Sequence, residues 1–237
     1  MLSDLAKRLA LRVLRAGVAA PTAQAERFYE LQHLRRLLTL LDVDCVIDVG
    51  ANRGQFAREL RGIGYRGRIV SFEPIGSEFA IMERAFADDP HWRGLRMALG
   101  REETTLPIRV AAMSVMSSFL TERGGRAAER TEEVTVGRLD RLFPSLVEGL
   151  ADPRVFLKLD TQGFDLEVFA GAAGCLDHIA GLQAELSVQP LYEAAPDYLE
   201  ALGAYEAAGL ELYNLSVVNR LDDGAILELN AFMRRRA

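Results

Sequence analysis

The residues best placed to do chemistry stand where an apolar run ends in a glycine-bearing turn. The strand-like run Cys45–Val49 continues directly into Gly50, and a helical pattern begins near Gln55. In an open α/β sheet, ligands bind outside the carboxyl ends of the strands. A glycine there lets a ligand approach the backbone closely, and the N–H groups at a helix start favour a carboxylate or a phosphate. The turn at residues 48–54 is therefore the first candidate for a ligand-binding site.

An acidic residue closes the next predicted strand. The run Arg68–Phe72 leads into Glu73 and Pro74, and a proline cannot continue a strand ladder. A carboxylate at this point can accept hydrogen bonds from both hydroxyls of a ribose. Glu73 follows Gly50 by 23 positions, close to the roughly 20 expected between a glycine turn and a ribose-binding acid. Together the turn and the acid predict a cofactor that contains adenosine.

The middle of the turn separates the two classes of cofactor that use this arrangement. Nicotinamide and flavin dinucleotides favour G-x-G-x-x-G, because the middle glycine lets the pyrophosphate lie on the backbone. This chain has Asn52 at that position, between Gly50 and Gly54. S-adenosylmethionine has no phosphate, and its ammonium group suits an acid such as Asp48 near the strand end. The pattern favours S-adenosylmethionine, and a dinucleotide-dependent oxidoreductase is left as the alternative.

The rest of the chain alternates short β-rich runs with helical stretches, which requires crossover connections and predicts a parallel sheet. The turn Asp222-Asp223-Gly224 predicts a hairpin between the last two strands. The predicted strands are Cys45–Val49, Arg68–Phe72, Leu95–Leu99, Leu106–Ala111, Glu133–Val136, Val155–Leu159, Leu182–Val188, Leu210–Val217 and Ile226–Met233. After a first helix within residues 1–20, the predicted helices are Ala25–Leu41, Gln55–Arg61, Ser77–Ala87, Leu139–Leu150, 165–173 and Ala194–Ala208.

Several motifs, in order along the chain, resemble those of FkbM-type methyltransferases. They are Asp48–Gln55, Phe72–Pro74, Ala98–Gly100, Leu139–Asp140, Leu157–Gly163, Leu166–Ala172 and Glu185. The resemblance implies a class I methyltransferase fold, an α/β, doubly wound, Rossmann-like domain with a mostly parallel seven-stranded sheet. One antiparallel strand is expected near the C-terminal edge of that sheet. We therefore expect a methyltransferase domain over residues 43–237, preceded by an N-terminal helical extension over residues 1–42.

The resemblance also implies S-adenosylmethionine as methyl donor and, in most members, methylation of an oxygen. Family acceptors include sugars on glycolipids and polysaccharides, and hydroxyls of natural products. The carried-over cofactor-binding residues are Asp48, Gly50, Asn52, Gly54, Glu73, Pro74, Ala98, Leu99 and Ser117. The chain departs from the family pattern at Asp165, where many members have Glu, and at Asn230, where an Asp is common. A domain that keeps the fold without the chemistry is a further alternative.

Three carboxylates are candidates for the catalytic role. Much of methyl transfer can come from alignment of the acceptor, because the leaving thioether is neutral. An alcohol must still lose a proton, so a general base helps. Asp160, which follows the predicted strand Val155–Leu159, is the first candidate, and Asp165 and Glu185 are second choices. The same oxygens suit Mg²⁺, although a site without metal is the favoured hypothesis. The acceptor itself is expected to contact loops 113–130 and 189–197.

Composition limits the partners and the compartment. The 237 residues carry a net charge of −6, which argues against nucleic-acid binding because phosphate contacts need clustered Lys and Arg. Two distant cysteines, Cys45 and Cys175, form neither a disulfide framework nor a zinc site and favour a cytoplasmic protein. The basic amphipathic pattern of residues 1–20 predicts packing on the domain or on a second subunit of a homo-oligomer. Peripheral contact with a membrane is its alternative.

Overall fold

The computed structural model describes residues 22–124 and 128–236, together with residues 12 and 15. The strands of the described residues are β1 (Cys45–Val49), β2 (Arg68–Phe72), β3 (Trp92–Leu95), β4 (Ala98–Leu99), β5 (Thr104–Val110), β6 (Arg130–Gly137), β7 (Val155–Leu159), β8 (Ile179–Ser187), β9 (Leu210–Arg220) and β10 (Ile226–Arg235). The α-helices of residues 22–236 are α1 (Thr22–Leu40), α2 (Gln55–Gly62), α3 (Gly76–Ala85), α4 (Leu139–Leu146), α5 (Asp165–Ala170) and α6 (Tyr198–Ala207). Two 3₁₀ helices cover Ser114–Met116 and Ala173–His178. The predicted first helix lies outside the described residues, apart from residues 12 and 15.

Seven strands form one sheet in the order β3-β2-β1-β7-β8-β10-β9. Strands β3, β2, β1, β7 and β8 pair in parallel, whereas β10 is antiparallel to both of its neighbours. The predicted α/β sheet with one reversed strand near the C-terminal edge is therefore confirmed. The chain runs outwards from β1 to β2 and β3 and returns on the other side of β1 through β7. Open α/β sheets bind ligands at such a switch point.

A second, three-stranded sheet in the order β4-β6-β5 was not anticipated. The predicted strand Leu95–Leu99 is wrong as a single element, because its first residue ends β3 and its last two form β4. The N–H of Met97 donates to the carbonyl of Leu95 at 3.0 Å, and this tight turn carries the chain out of the first sheet. The small sheet packs through its own apolar cluster, which includes Ile75, Ile108 and Val136.

Apolar layers cover both faces of the large sheet, because successive residues of a strand point to opposite sides. Along β1, Ile47 belongs to the cluster that contains residues of α4, α5 and α6. Val46 belongs to the other cluster, with Leu37 of α1 and Phe232 of β10. Helix α1 is thus packed on the sheet, and the proposed division at residue 42 stays a prediction. No helix in the described part of the chain combines the length and apolar character that crossing a bilayer requires.

Helix α6 begins at Tyr198 and not at Ala194 as predicted. Asp197 caps it, since its Oδ1 accepts from the N–H groups of Leu199 and Glu200, each at 2.9 Å. Pro196 precedes this cap, and residues before a proline avoid the helical region. The start of this helix is therefore determined by the cap at Asp197 and not by the start of the apolar pattern.

Candidate active site

The carboxyl ends of β1 and β7 meet at the switch point. Gly50 follows β1 with a φ of 77°, and Asp160 follows β7. A Cβ on Gly50 would lie 1.9 Å from the carbonyl oxygen of Asp160. Only glycine permits this backbone conformation together with this close approach. The predicted glycine turn and the predicted base are thereby held side by side.

The turn after β1 has an asparagine, Asn52, at its middle position. Asn52 has a φ of 48°, a left-handed conformation that asparagine tolerates better than most residues. Its Nδ2 donates to the hydroxyl of Ser114 at 3.0 Å. Gly54 serves packing, because a Cβ there would lie 2.6 Å from the ring of Phe86. The Asn52 side chain stands in the position that the middle glycine of a dinucleotide motif leaves open.

Glu73 lies at the end of β2 with only 4% of its surface exposed. Its Oε2 accepts from the N–H of Asn52 at 2.7 Å, and its Oε1 accepts from the N–H of Ile75 at 2.8 Å. Burial raises the pKa of Glu73 to about 7, against the lowering effect of these two hydrogen bonds. Each carboxylate oxygen has two lone pairs, so each can accept one more hydrogen bond. The group is therefore oriented to receive two further donors.

An apolar pocket extends from this carboxylate. Its other walls come from β4, from the 3₁₀ helix Ser114–Met116, from single residues of β2 and β5, and from the loops that follow β2, this 3₁₀ helix and β7. The rings of Phe119 and Phe164 lie 4.8 Å apart within it. Seven of the nine predicted cofactor residues line it, namely Gly50, Asn52, Glu73, Pro74, Ala98, Leu99 and Ser117. An apolar slot with a carboxylate at one end suits an adenine ring joined to a ribose. The residues present therefore fit the adenosyl part of S-adenosylmethionine.

Several pocket residues were not singled out from the sequence. Ile75, Met97, Ile108 and Phe119 contribute apolar surface, Ile108 from β5 and the others from segments between the strands. Individually they read as ordinary core residues, and nothing in their local sequence distinguishes them. Ser114 could have been noticed only through its partner Asn52, 62 positions earlier.

Asp48 lies beneath the turn and not in the pocket. It is fully buried, and its Oδ1 lies 3.2 Å from Nζ of Lys158. Ser71 donates to its Oδ2 at 3.4 Å. Burial raises the pKa of Asp48, and the Lys158 ammonium opposes that rise. Lys158 therefore lies against the carboxylate that was expected to face the cofactor's ammonium group. Neither Asp48 nor Gly54 is among the residues that line the pocket.

Gln162 links two of the three candidate bases. Its Nε2 donates to Oδ1 of Asp160 at 3.1 Å and to Oε2 of Glu185 at 3.0 Å. The hydroxyl of Tyr192 lies 3.0 Å from Oε1 of Gln162, so it can donate there and orient the amide. Asp160 also lies 3.3 Å from Nζ of Lys158. Burial raises the pKa of Glu185 well above its usual range, and the Asp160 carboxylate adds to the effect.

Asp165 lies to one side of this pair. Its Oδ1 accepts from the N–H and the hydroxyl of Thr161, at 3.0 and 2.9 Å. Burial raises the pKa of Asp165 to about 6, and the nearby Asp160 carboxylate acts in the same direction. Asp165 therefore supports the loop after β7. Among the described residues, no group of three or more His, Cys, Asp and Glu side chains is arranged to hold a metal ion.

A polar cleft of about 420 Å³ adjoins the apolar pocket. Gly50, Asn52, Val115 and Asp160 line both spaces, so the two are continuous at the switch point. The cleft is also lined by Lys158, Gln183 and Glu185 from the ends of β7 and β8, and by residues of α1, α2, β9 and β10. Residues 189–197, which were expected to contact the acceptor, are not among its described lining.

The sequence of this chain matches the model of the methyltransferase FkbM domain over residues 48–211. That span covers more than half of the chain and contains the turn after β1, Glu73, Asp160 and Glu185. The chain belongs to the FkbM methyltransferase family. As a member of that family it is an S-adenosylmethionine-dependent methyltransferase, and the dinucleotide-dependent oxidoreductase is set aside.

Solved structures of other proteins resemble this FkbM methyltransferase at low sequence identity. A Thermobifida fusca protein assigned as a methyltransferase is 11% identical with a TM-score of 0.55, over 91% of this chain and 82% of its own. An rRNA methylase from Streptococcus thermophilus is 9% identical with a TM-score of 0.46, over 86% of this chain and 94% of its own. Fibrillarin from Aeropyrum pernix, with S-adenosylmethionine bound, is 14% identical with a TM-score of 0.45, over 80% and 66%. No curated protein matches the chain significantly. At these identities the likeness concerns the fold alone.

Proposed function

We propose that this FkbM methyltransferase methylates a hydroxyl group of a sugar, a glycolipid or a natural product. The observation that carries the proposal is the position of Asp160, at the one place where the apolar pocket opens into the polar cleft. A methyl donor seated in the pocket and an acceptor seated in the cleft would meet beside this carboxylate. S-adenosylmethionine, when bound, supplies an activated methyl group and leaves as a neutral thioether.

The residues that would hold the donor follow from the pocket. Glu73 would accept from the two ribose hydroxyls, because its second lone pairs are free and its oxygens are held by backbone N–H groups. The apolar walls, with Ala98 and Leu99, would enclose the adenine ring. Residues 50–52 would hold the methionine portion, and Lys158 behind them would keep Asp48 and Asp160 in place.

Asp160 would act on the acceptor. A hydroxyl hydrogen-bonded to its Oδ2, beside Lys158, would pass its proton to the carboxylate as the oxygen becomes bonded to carbon. Gln162 would orient Asp160 by donating to Oδ1, which leaves Oδ2 for Lys158 and the acceptor. Glu185, held by the same amide, is a further carboxylate of the cleft close to Asp160. A carboxylate beside the methyl donor suits a hydroxyl acceptor, because a hydroxyl has to lose its proton as its oxygen becomes bonded to the methyl carbon.

Two measurements test the proposal. Calorimetric titration with S-adenosylmethionine, S-adenosylhomocysteine and NADH should show saturable binding of the first two only. Transfer of a labelled methyl group to a panel of hydroxyl, amine and carboxylate acceptors should then select the hydroxyls. Transfer to nitrogen would contradict O-methylation, and transfer to a carboxylate would contradict a hydroxyl acceptor. Donor binding without any transfer would favour a domain that keeps the fold without the chemistry.

A further inference from the structure

Part of the polar cleft wall lies outside the segment that matches the family model. The family match covers residues 48–211, whereas Glu26, Arg27 and Glu30 of α1 and Val217, Val218 and Asn230 of β9 and β10 form much of the cleft wall. Asn230 donates from Nδ2 to Oε1 of Glu30 at 2.8 Å, so α1 is joined directly to the sheet at this wall. The wall of the cleft therefore includes side chains from both sides of the family segment in the sequence.

Carboxylates outnumber cations in the cleft, and both cations already form ion pairs. Five carboxylates line it, on Glu26, Glu30, Glu59, Asp160 and Glu185, against two cations, Arg27 and Lys158. Arg27 binds Glu30 at 2.6 Å through Nη1 and Glu59 at 3.0 Å through Nε. Lys158 lies 3.2 Å from Asp48 and 3.3 Å from Asp160. A phosphate bound here would face surplus carboxylates, and both cations of the described lining are already paired.

Gln183 supplies an independent observation. It lies on β8 opposite Lys158, it is 5% exposed, and it lines the cleft. Its Oε1 is buried without a hydrogen-bond partner among the described residues. A buried amide without a partner is unfavourable, and native structures contain few of them. A half-turn of the terminal amide would present either its acceptor or its donor to a ligand in the cleft.

We infer that the cleft binds the methyl acceptor as a sugar ring that is rich in hydroxyls and free of phosphate and carboxylate, with Gln183 as a hydrogen-bonding partner of that ring. Hydroxyl groups both donate and accept, so they match the carboxylates and the amide at once, which a phosphate cannot. A protonated amine on the ring would add attraction to the surplus carboxylates. This inference rests on the proposed function, since it assigns the acceptor of the same reaction.

The first test uses the full chain with three matched sugars, namely methyl glucoside, methyl glucosaminide and glucose 6-phosphate. Binding in the presence of S-adenosylhomocysteine is measured by ligand-observed NMR, and transfer is measured with labelled S-adenosylmethionine. The neutral and amino sugars should bind, and the phosphorylated sugar should bind at least about tenfold more weakly, because its phosphate would face the surplus carboxylates. Preferential binding of the phosphate, or binding of no sugar by a protein that still binds the donor, would overturn the inference. Loss of donor binding would instead contradict the proposed function.

The second test measures the contribution of the Gln183 side chain to sugar binding. Gln183→Leu should raise the KM for a bound sugar about tenfold, for loss of one hydrogen bond, and should leave the Kd for S-adenosylmethionine unchanged. Its Tm should not fall, because the amide has no partner within the described protein to lose. Gln32→Leu, on the exposed side of α1 and outside the cleft lining, is the matched control. A lower Tm with an unchanged KM would show that Gln183 is structural, and a higher Kd for S-adenosylmethionine would place it in the cofactor site.

Discussion

Replacing Glu73 by Gln should stabilise the protein at alkaline pH while weakening its affinity for the donor. The carboxylate is 4% exposed, and burial raises its pKa to about 7 from the usual 4.5 of a glutamate. The folded state therefore holds this proton more tightly than the unfolded state does. Folding stability from this group is complete below pH 4.5 and is lost as the pH rises towards 7.

The size of the effect follows from the linkage relation. At 1.36 kcal/mol for each pH unit, a shift of this size corresponds to about 3 kcal/mol in full, of which about 2.5 kcal/mol falls between pH 5 and pH 8. The glutamine amide stays neutral and avoids this loss. It cannot accept at both positions, so one hydrogen bond from Asn52 or Ile75 is lost, at about 1 kcal/mol. As the pH rises from 5 to 8, the free energy of unfolding of the variant relative to that of the wild type should increase by about 2–3 kcal/mol.

Donor affinity should move in the opposite direction. A hydrogen bond to a charged carboxylate contributes about 1.5–3 kcal/mol, so the Kd for S-adenosylmethionine should rise roughly 10- to 100-fold. Urea unfolding at pH 5 and pH 8 gives the stabilities, and calorimetry gives the Kd. Glu83→Gln, on the exposed side of α3, is the control for a lost surface charge. A stability difference that does not change with pH would refute the account of Glu73, and an unchanged Kd would refute its contact with ribose.

Further variants address the candidate base Asp160, the buried pair of Asp48 and Lys158, and helix α1. Asp160→Asn should lower kcat by about 10²- to 10⁴-fold with donor Kd retained, whereas a loss of donor binding alone would place Asp160 in the cofactor site. Lys158→Met should cost about 3–5 kcal/mol in urea unfolding, because it leaves Asp48 buried without its cation. The double variant with Asp48→Asn should recover much of that loss. If the single and the double variant lose the same stability, the pairing of Lys158 with Asp48 is contradicted. Leu37→Ala should cost about 2–5 kcal/mol in one cooperative transition, whereas a separate early transition would mark α1 as an independent unit.

The element boundaries at the centre of the sheet could be predicted from local sequence alone. The bounds of β1, β2 and β7 agree with the prediction, because short apolar runs rich in β-branched residues end at glycine, proline or acidic residues. The separation of β3 and β4 could not be predicted, because the apolar run continues across the turn. The start of α6 was misplaced for a similar reason, since Ala194 and Ala195 fit a helix until the chain meets Pro196.

The cofactor site was partly predictable because its chemistry follows the strand ends. A glycine turn after β1 and an acid after β2 lie at the same edge of any parallel sheet, so their proximity needs no knowledge of register. The pocket walls from β5 and Phe119 could not be foreseen, since they depend on a second sheet folded over that edge. Val115 likewise enters the site from a loop whose own sequence has no distinguishing pattern.

The sequence by itself determined the fold class, the family and the position of the methyl-donor site, because these depend on local patterns and on the order of motifs along the chain. Only the tertiary structure decided which polar groups face one another. The pairing of β1, β7 and β8 places Asp48, Lys158 and Gln183 in one row on the face covered by α1. Asp48 is therefore bound by a lysine more than one hundred residues away, and Gln183 is left buried without a partner in the described chain. Strand register is set by contacts far apart in sequence, so no local pattern could reveal which carboxylate is paired and which amide is open to a ligand.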